Sequence, residues 1–221
     1  MKDENIEKRI YSAQDLQLRA ATDEETGKRY LEGYAALFGV KSRLLANWER
    51  GLFYEIIERG AFDEVLRDPN LDVTFNINHN DDYLIARTMA GTLELSVDDT
   101  GLKFRAEIPE GVSYAEDAYK LVETGNLNQN SFAFVSSESD YSWGEYEDDI
   151  PIGRLNNIRK LLDTSVVTRG AYEETSIEAR SELALRSYEM YVEEQKEEEE
   201  VPDYSFEAEA RKRKLNLKNK L

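Results

Sequence analysis

The sequence contains no cysteine and a single histidine, His79, among its 221 residues. The lack of cysteine excludes a thiol nucleophile, a disulfide and a thiolate metal site. A single histidine also excludes a zinc site built from several histidines of one chain. No apolar run approaches the ~20 residues of a membrane-spanning helix, and the charged N-terminus lacks the apolar core of a signal peptide. We therefore expect no membrane association.

Positive charge is scarce relative to negative charge. Lys and Arg number 28 against 46 Asp and Glu, which gives a formal net charge of -18. An acidic body does not suit binding to DNA or RNA, because neutralising phosphates requires clustered Lys and Arg. We expect no direct nucleic-acid binding, and a soluble protein that meets basic partners. The acidic pairs at 98–99 and 148–149 lack the spacing of a calcium loop and are predicted to be turn residues.

Alternating apolar residues predict short strands along most of the chain. Residues 30–38 follow a predicted hairpin turn at 23–27. Segments 93–97 and 102–108 alternate with period two around a turn and predict a second hairpin. An apolar strand at 71–77 ends just before His79. This pattern is typical of a domain rich in β-structure.

Helices are predicted at 60–67, before Pro69, and at 114–123, before Gly125. The remaining predictions are a strand at 131–135, a polar loop or long excursion at 138–149, two strand-like runs in 155–167, and helix from Thr175 onward. The summed pattern predicts an α+β domain, a closed or nearly closed β-barrel-like sheet flanked by a few helices. We place this domain at 1–178 and a charged, partly helical or flexible extension at 179–221.

Three segments could together form a catalytic site. His79 follows the strand at 71–77, Ser131 begins a strand whose alternate residues are aromatic, and Asp163 interrupts an apolar run. A buried carboxylate is costly unless it is paired, and an imidazolium is one suitable partner. If Asp163 holds His79, and His79 takes the proton of Ser131, the three residues form a serine triad.

Each of these residues also has a plainer interpretation. His79 could be a surface or capping residue at a strand end. Ser131 has other serines close by, at positions 136, 137 and 139. Asp163 could bond backbone amides at the end of a strand. From the residues alone, the sequence indicates a soluble α+β domain with an acidic body and a charged extension.

Five segments in this order resemble the prohead maturation proteases of tailed bacteriophages. They lie between Gly33 and Arg180, at 33–38, 58–62, 78–102, 129–134 and 162–172. The resemblance implies a fold similar to the herpesvirus assemblins and a serine endopeptidase without a cofactor. The family's nucleophile and histidine match Ser131 and His79, and Asp163 stands where an acid is common. Ala133 and Gly170 depart from the pattern, where the family often has glycine and proline.

The resemblance further implies a site of action and partners. Such enzymes are packaged inside the prohead in the host cytoplasm, where they cut the scaffold protein or the scaffold-like part of the major capsid protein, and often themselves. A homo-oligomer is compatible with this interpretation. The extension at 179–221 is a candidate for self-cleavage because a charged segment of this kind is exposed. The alternative function is a catalytically inactive capsid-assembly or scaffolding protein. Backbone amides are the default oxyanion donors, with Arg87 and Arg169 as further candidates.

Overall fold

The computed structural model describes residues 6–12, 17–47 and 50–168, and almost all of their regular structure is β-strand. One α-helix, α1 (Ser113–Glu123), lies among them, with short 3-10 turns at Val65–Arg67, Thr88–Ala90 and Glu138–Asp140. The strands are β1 (Ile6–Ser12), β2 (Arg19–Thr22), β3 (Arg29–Leu37), β4 (Leu45–Asn47), β5 (Gly51–Ile57), β6 (Thr74–Ile77), β7 (Asn80–Arg87), β8 (Leu93–Val97), β9 (Gly101–Glu107), β10 (Gln129–Val135), β11 (Tyr141–Glu147), β12 (Ile150–Leu155) and β13 (Lys160–Val167).

Within the described residues, the strands form three sheets. Their strand orders are β1-β10-β13-β6-β7, β11-β12-β5-β4 and β2-β3-β9-β8. Within the first sheet, β13 is antiparallel to β10 and parallel to β6. None of the sheets closes on itself within the described residues, so the predicted closed barrel is wrong. The two outer strands of the first sheet, β1 and β7, both remain edges.

Aromatic side chains fill the space between the sheets. Phe75 on β6 stacks on Phe104 of β9, with ring centroids 5.1 Å apart, and thereby joins the first and third sheets. On β10, Phe132 and Phe134 stack at 5.1 Å, and Phe62 lies 5.9 Å from Phe132. All five rings are fully buried or nearly so. The apolar face of β10 therefore anchors that strand, as its alternation predicted, and the core lies between open sheets.

Several predicted elements are confirmed. The turn at 23–27 joins β2 to β3, and the hairpin at 93–108 is the antiparallel pair β8 and β9. The predicted helix at 114–123 is α1, and Gly125 follows it with φ of +76°. That backbone conformation suits glycine and ends the helix. The predicted strand at 71–77 is shorter than expected and begins at Thr74.

Two predictions are wrong. Residues 60–67 form turns rather than a helix, except for the 3-10 turn Val65–Arg67, and 138–149 contains the strand β11 rather than only a loop. The helical prediction from Thr175 and the boundary at 178/179 lie outside the described residues. Within the described ranges, no helix is both long and apolar enough to cross a membrane.

Candidate active site

A tight turn between β6 and β7 presents His79. Ile77 pairs with Asn80 across it, and the two central residues, Asn78 and His79, have φ of 56° and 55°. Positive φ at both central residues is what a two-residue type I′ hairpin turn requires, and Asn and His adopt it more readily than most residues. The side-chain oxygen of Asn78 accepts hydrogen bonds from the backbone N–H (2.9 Å) and the hydroxyl (3.3 Å) of Thr168. The turn is thereby fixed to the end of β13.

The imidazole of His79 bridges the other two predicted residues. Its Nδ1 lies 2.6 Å from Oδ1 of Asp163, and its Nε2 lies 2.7 Å from Oγ of Ser131. A carboxylate can only accept, so Nδ1 carries the proton and Nε2 is free to accept the proton of the hydroxyl. The strand register explains why Asp163 and Ser131 lie close together, since Ala133 pairs with Asp163 and Ser131 pairs with Ser165. Residues paired in this way lie on one face of the sheet, and His79 extends across that face. We call these three candidate residues, Asp163, His79 and Ser131, the catalytic row.

Ser165 is a further member of the site that the sequence did not reveal. Its hydroxyl donates to Oδ1 of Asp163 (3.0 Å) and accepts from the backbone N–H of His79 (3.2 Å). One side chain thus fixes both the carboxylate and the backbone that carries the imidazole. The only signal for it is its position two residues after Asp163, on the same strand face.

The catalytic row is shielded from solvent. Ser131 has no exposed surface, and the side chains of His79 and Asp163 are 9% and 14% exposed. Hydrogen bonds between charged or polar groups are stronger where water is excluded. The same burial means that a substrate reaches Ser131 only if some covering element moves.

The other candidates are engaged elsewhere. Ser136 donates to Glu7 (2.5 Å), and Ser137 caps the 3-10 turn Glu138–Asp140. Arg87 lies on β7, which is separated from β10 by β6 and β13, and forms an ion pair with Asp72. Arg87 is therefore not positioned to stabilise an oxyanion at Ser131. Arg169 lies outside the described residues. No group of three His, Asp or Glu side chains within the described part of the chain is arranged to bind a metal ion.

A second buried polar cluster lies on the opposite face of β10. Arg9 donates from Nε and Nη2 to both carboxylate oxygens of Glu55, each at 2.6 Å, and from Nη2 to Glu7 at 2.6 Å. The hydroxyl of Tyr141 also donates to Glu55 (2.7 Å). Burial would raise the pKa of Glu7, but Arg9, the Ser136 hydroxyl and Arg50 outweigh it and hold that pKa below its ordinary value. Burial, reinforced by Glu55, raises the pKa of the Tyr141 phenol. These contacts attach β1 to β5.

No curated protein matches the chain at a significant level. Among solved structures, the capsid assembly protease of bacteriophage T4 is similar over 75% of this chain and 99% of that chain, with 10% sequence identity and a TM-score of 0.47. A sequence profile of the caudovirus prohead serine proteases matches residues 14–192, which include the whole catalytic row. The chain therefore belongs to the caudovirus prohead serine protease family.

Proposed function

We propose that this protein is a serine endopeptidase of phage capsid maturation, with Ser131 as nucleophile, His79 as general base and acid, and Asp163 as the group that orients His79. The observation that supports this most is the unbroken chain of hydrogen bonds from Asp163 through His79 to Ser131. This is the arrangement that serine nucleophiles need, because an unassisted hydroxyl is a weak nucleophile at neutral pH.

The proposed peptide-bond hydrolysis follows from the proton on the Ser131 hydroxyl and the free Nε2 of His79. Oγ of Ser131 attacks the scissile carbonyl carbon while Nε2 of His79 takes the hydroxyl proton. Collapse of the tetrahedral intermediate breaks the C–N bond, and His79 returns the proton to the departing amine. Water then attacks the acyl-enzyme with His79 as base, which releases the acid and restores Ser131. Asp163 stabilises the imidazolium during both steps. Backbone amides are the proposed oxyanion donors, and no cofactor takes part.

The proposed substrates are the scaffold protein or the scaffold-like part of the major capsid protein, cut inside the prohead in the host cytoplasm. Family membership supports this choice. The net charge of -18 favours partners with basic segments. The extension at 179–221 is proposed as a self-cleavage substrate. Its persistence on intact-mass analysis, after prolonged incubation of active enzyme, would count against that proposal.

A catalytically inactive capsid-assembly protein is the second candidate. One observation favours it: Ser131 has no exposed surface, which suits a residue that never meets a substrate. In that case the charged extension at 179–221 would be the segment that supports assembly. Its removal would prevent assembly, while substitutions in the catalytic row would be tolerated.

Coexpression with the capsid and scaffold proteins of the same phage tests the proposal, with products identified by intact mass. Ser131→Ala and His79→Ala should each lower cleavage by about 10⁴-fold or more while the circular dichroism spectrum is unchanged. The matched control is Ser96→Ala, which removes an exposed hydroxyl on β8. Equal cleavage by wild type and Ser131→Ala would remove Ser131 from its role. Assembled shells without cleavage in any variant would support the second candidate.

A further inference from the structure

β1 lies beside β10, the strand that carries Ser131 and that we call the nucleophile strand. β1 precedes the segment that matches the family profile. β1 pairs antiparallel with β10 over its whole length, and Ile10 is the register partner of Ser131. The family profile begins at residue 14, after β1 has ended. β1 supplies none of the catalytic row and is an edge strand. It therefore covers the nucleophile strand without taking part in the chemistry.

The direction of the catalytic row determines from which side of β10 a substrate can reach Ser131. The row approaches β10 from the side of β13, because Asp163 lies on β13 and His79 extends over it. A carbonyl carbon must approach the Ser131 hydroxyl from a side that His79 does not occupy, and β1 is the other neighbour of β10. β13 cannot leave without taking Asp163 and Ser165 with it. The strand that can leave is β1, and Ser131 has no exposed surface while it is present.

We propose that β1 occupies the place of the substrate, which binds antiparallel along β10 once β1 has left, and that Glu55 recognises a basic side chain of that bound strand. This inference rests on the proposed function. Adding a strand to a free sheet edge is a common way to bind extended peptides, since the backbone supplies affinity and alternate side chains supply specificity. It gives Ser131 an extended substrate, as an endopeptidase requires.

The surroundings of Glu55 define the side chain that the substrate must carry. Arg9 precedes the register partner of Ser131 by one residue, and its guanidinium binds both oxygens of Glu55 at 2.6 Å. Glu55 is 2% exposed. When β1 leaves, Glu7 and Arg9 leave together. Glu55 stays on β5 without the cation that pairs with it here, and Arg50 loses its contact with Glu7. An ion pair restored by Arg or Lys at this register position would favour binding of such a substrate strand.

Stapling β1 to β10 tests whether β1 must leave. The chain has no cysteine of its own, so the substitutions Ile6→Cys/Val135→Cys and Ser12→Cys/Gln129→Cys introduce disulfides at the two ends of the pairing. The doubly stapled full-length chain is treated with a fluorophosphonate, and modification of Ser131 is followed by intact mass. Oxidation should slow labelling by at least tenfold, and dithiothreitol should restore it, so the reduced protein is its own control. Equal rates in both forms would overturn the inference alone. Absence of labelling in both forms and in wild type would overturn the proposed function and this inference with it.

Loosening β1 should have the opposite effect. Arg9→Gln removes the cation that holds β1 to Glu55, and labelling of Ser131 should become at least fivefold faster. A variant that merely damages the fold would label more slowly. The matched control is Arg19→Gln, which removes an exposed arginine paired with Glu32 on another sheet, and it should label at the wild-type rate. An unchanged or slower rate in Arg9→Gln would contradict the inference.

Competition with peptides tests the role of Glu55. In the Arg9→Gln chain, a synthetic peptide with the sequence of residues 5–12 should protect Ser131 from labelling. The same peptide with glutamine in place of its arginine should require at least tenfold higher concentration. This difference should disappear when Glu55→Gln is added to the Arg9→Gln chain. Equal protection by the two peptides, or none by either, would overturn the assignment of Glu55.

Discussion

At the scale of single residues, the hydroxyl of Ser165 connects the backbone of the histidine turn with the carboxylate of Asp163. We predict that Ser165→Ala lowers kcat about tenfold, equivalent to ~1.4 kcal/mol, and leaves KM unchanged. The reason is that this hydroxyl bonds the backbone of His79 and the carboxylate of Asp163, and both lose a group that orients them. Steady-state kinetics on the proposed scaffold or capsid-protein substrate measure the effect.

Ser165→Thr is the control for this prediction, because it keeps the hydroxyl and suits a strand. It should recover most of the activity. A rise in KM without a change in kcat would show that Ser165 contributes to substrate binding instead.

The residues of the catalytic row could be proposed from the sequence because each is chemically distinctive in its segment. His79 is the only histidine, and Asp163 is the one acid in an apolar run. Ser165 could not be proposed in the same way. Serine is common, and its role arises from a strand register that places it beside both Asp163 and the His79 turn. Its contact with His79 also joins positions 86 residues apart in the chain.

At the scale of elements, the histidine turn depends on Asn78 having a positive φ. Asn78→Ala should lower the free energy of unfolding by about 2 kcal/mol, because alanine pays the cost of the left-handed conformation and the two hydrogen bonds to Thr168 are lost. Asn78→Gly loses the same hydrogen bonds but adopts the conformation freely. It should therefore cost about 1 kcal/mol less than alanine. Urea denaturation of the three proteins measures both values, and equal losses in the two variants would contradict the role assigned to the backbone.

Element predictions succeeded where one face of the element is apolar and failed where tertiary contacts decide. The segment 60–67 has helix-like spacing of Ala61, Phe62 and Val65, all buried. However, the carbonyl of Ala61 accepts from the N–H of Ile158 at 2.8 Å, so that carbonyl is engaged by a distant segment. β11 was not predicted as a strand, for a different reason. It is an edge strand with only its first residue buried, so its sequence shows no apolar alternation.

At the scale of the whole molecule, the buried cluster around Arg9 makes stability depend on pH. Glu7 has a folded-state pKa below its ordinary value of 4.5. A depressed carboxylate pKa stabilises the fold at pH values above the unfolded-state pKa, and that stabilisation is lost as the pH falls through the folded-state value. The free energy of unfolding should therefore fall as the pH is lowered from about 5 through the folded-state pKa.

The variant Glu7→Gln should show a smaller decrease over this range, measured by urea denaturation at each pH. Glu25→Gln, in the exposed β2–β3 turn, is the matched control, and its pH dependence should follow wild type. A Glu7→Gln curve parallel to wild type would contradict the linkage.

The same cluster predicts a large effect of removing one charge. Glu55→Gln leaves Arg9 buried with one of its two carboxylate partners gone. Breaking a buried ion pair costs about 3–5 kcal/mol, and the loss should appear as a lower urea midpoint. A change below about 1 kcal/mol would place the pair among weak, solvent-screened contacts.

The closed barrel was the largest error at this scale. Strand count and alternation are the same for a closed barrel and for packed open sheets, because each buries one face of every strand. The difference lies in whether the first and last strands pair, which depends on contacts between distant residues. Here β1 and β7 end the first sheet on opposite sides.

The position of β13 has a consequence for the timing of activity during synthesis. It is the last strand along the described chain, yet it occupies the centre of the first sheet, between β10 and β6. A nascent chain therefore cannot complete this sheet, or place Asp163 beside His79, until residue 167 has left the ribosome. Pairings between distant segments also form slowly. An incomplete chain that ends before β13 therefore lacks the pairing of Asp163 with His79, and we expect it to lack the activity proposed for this site.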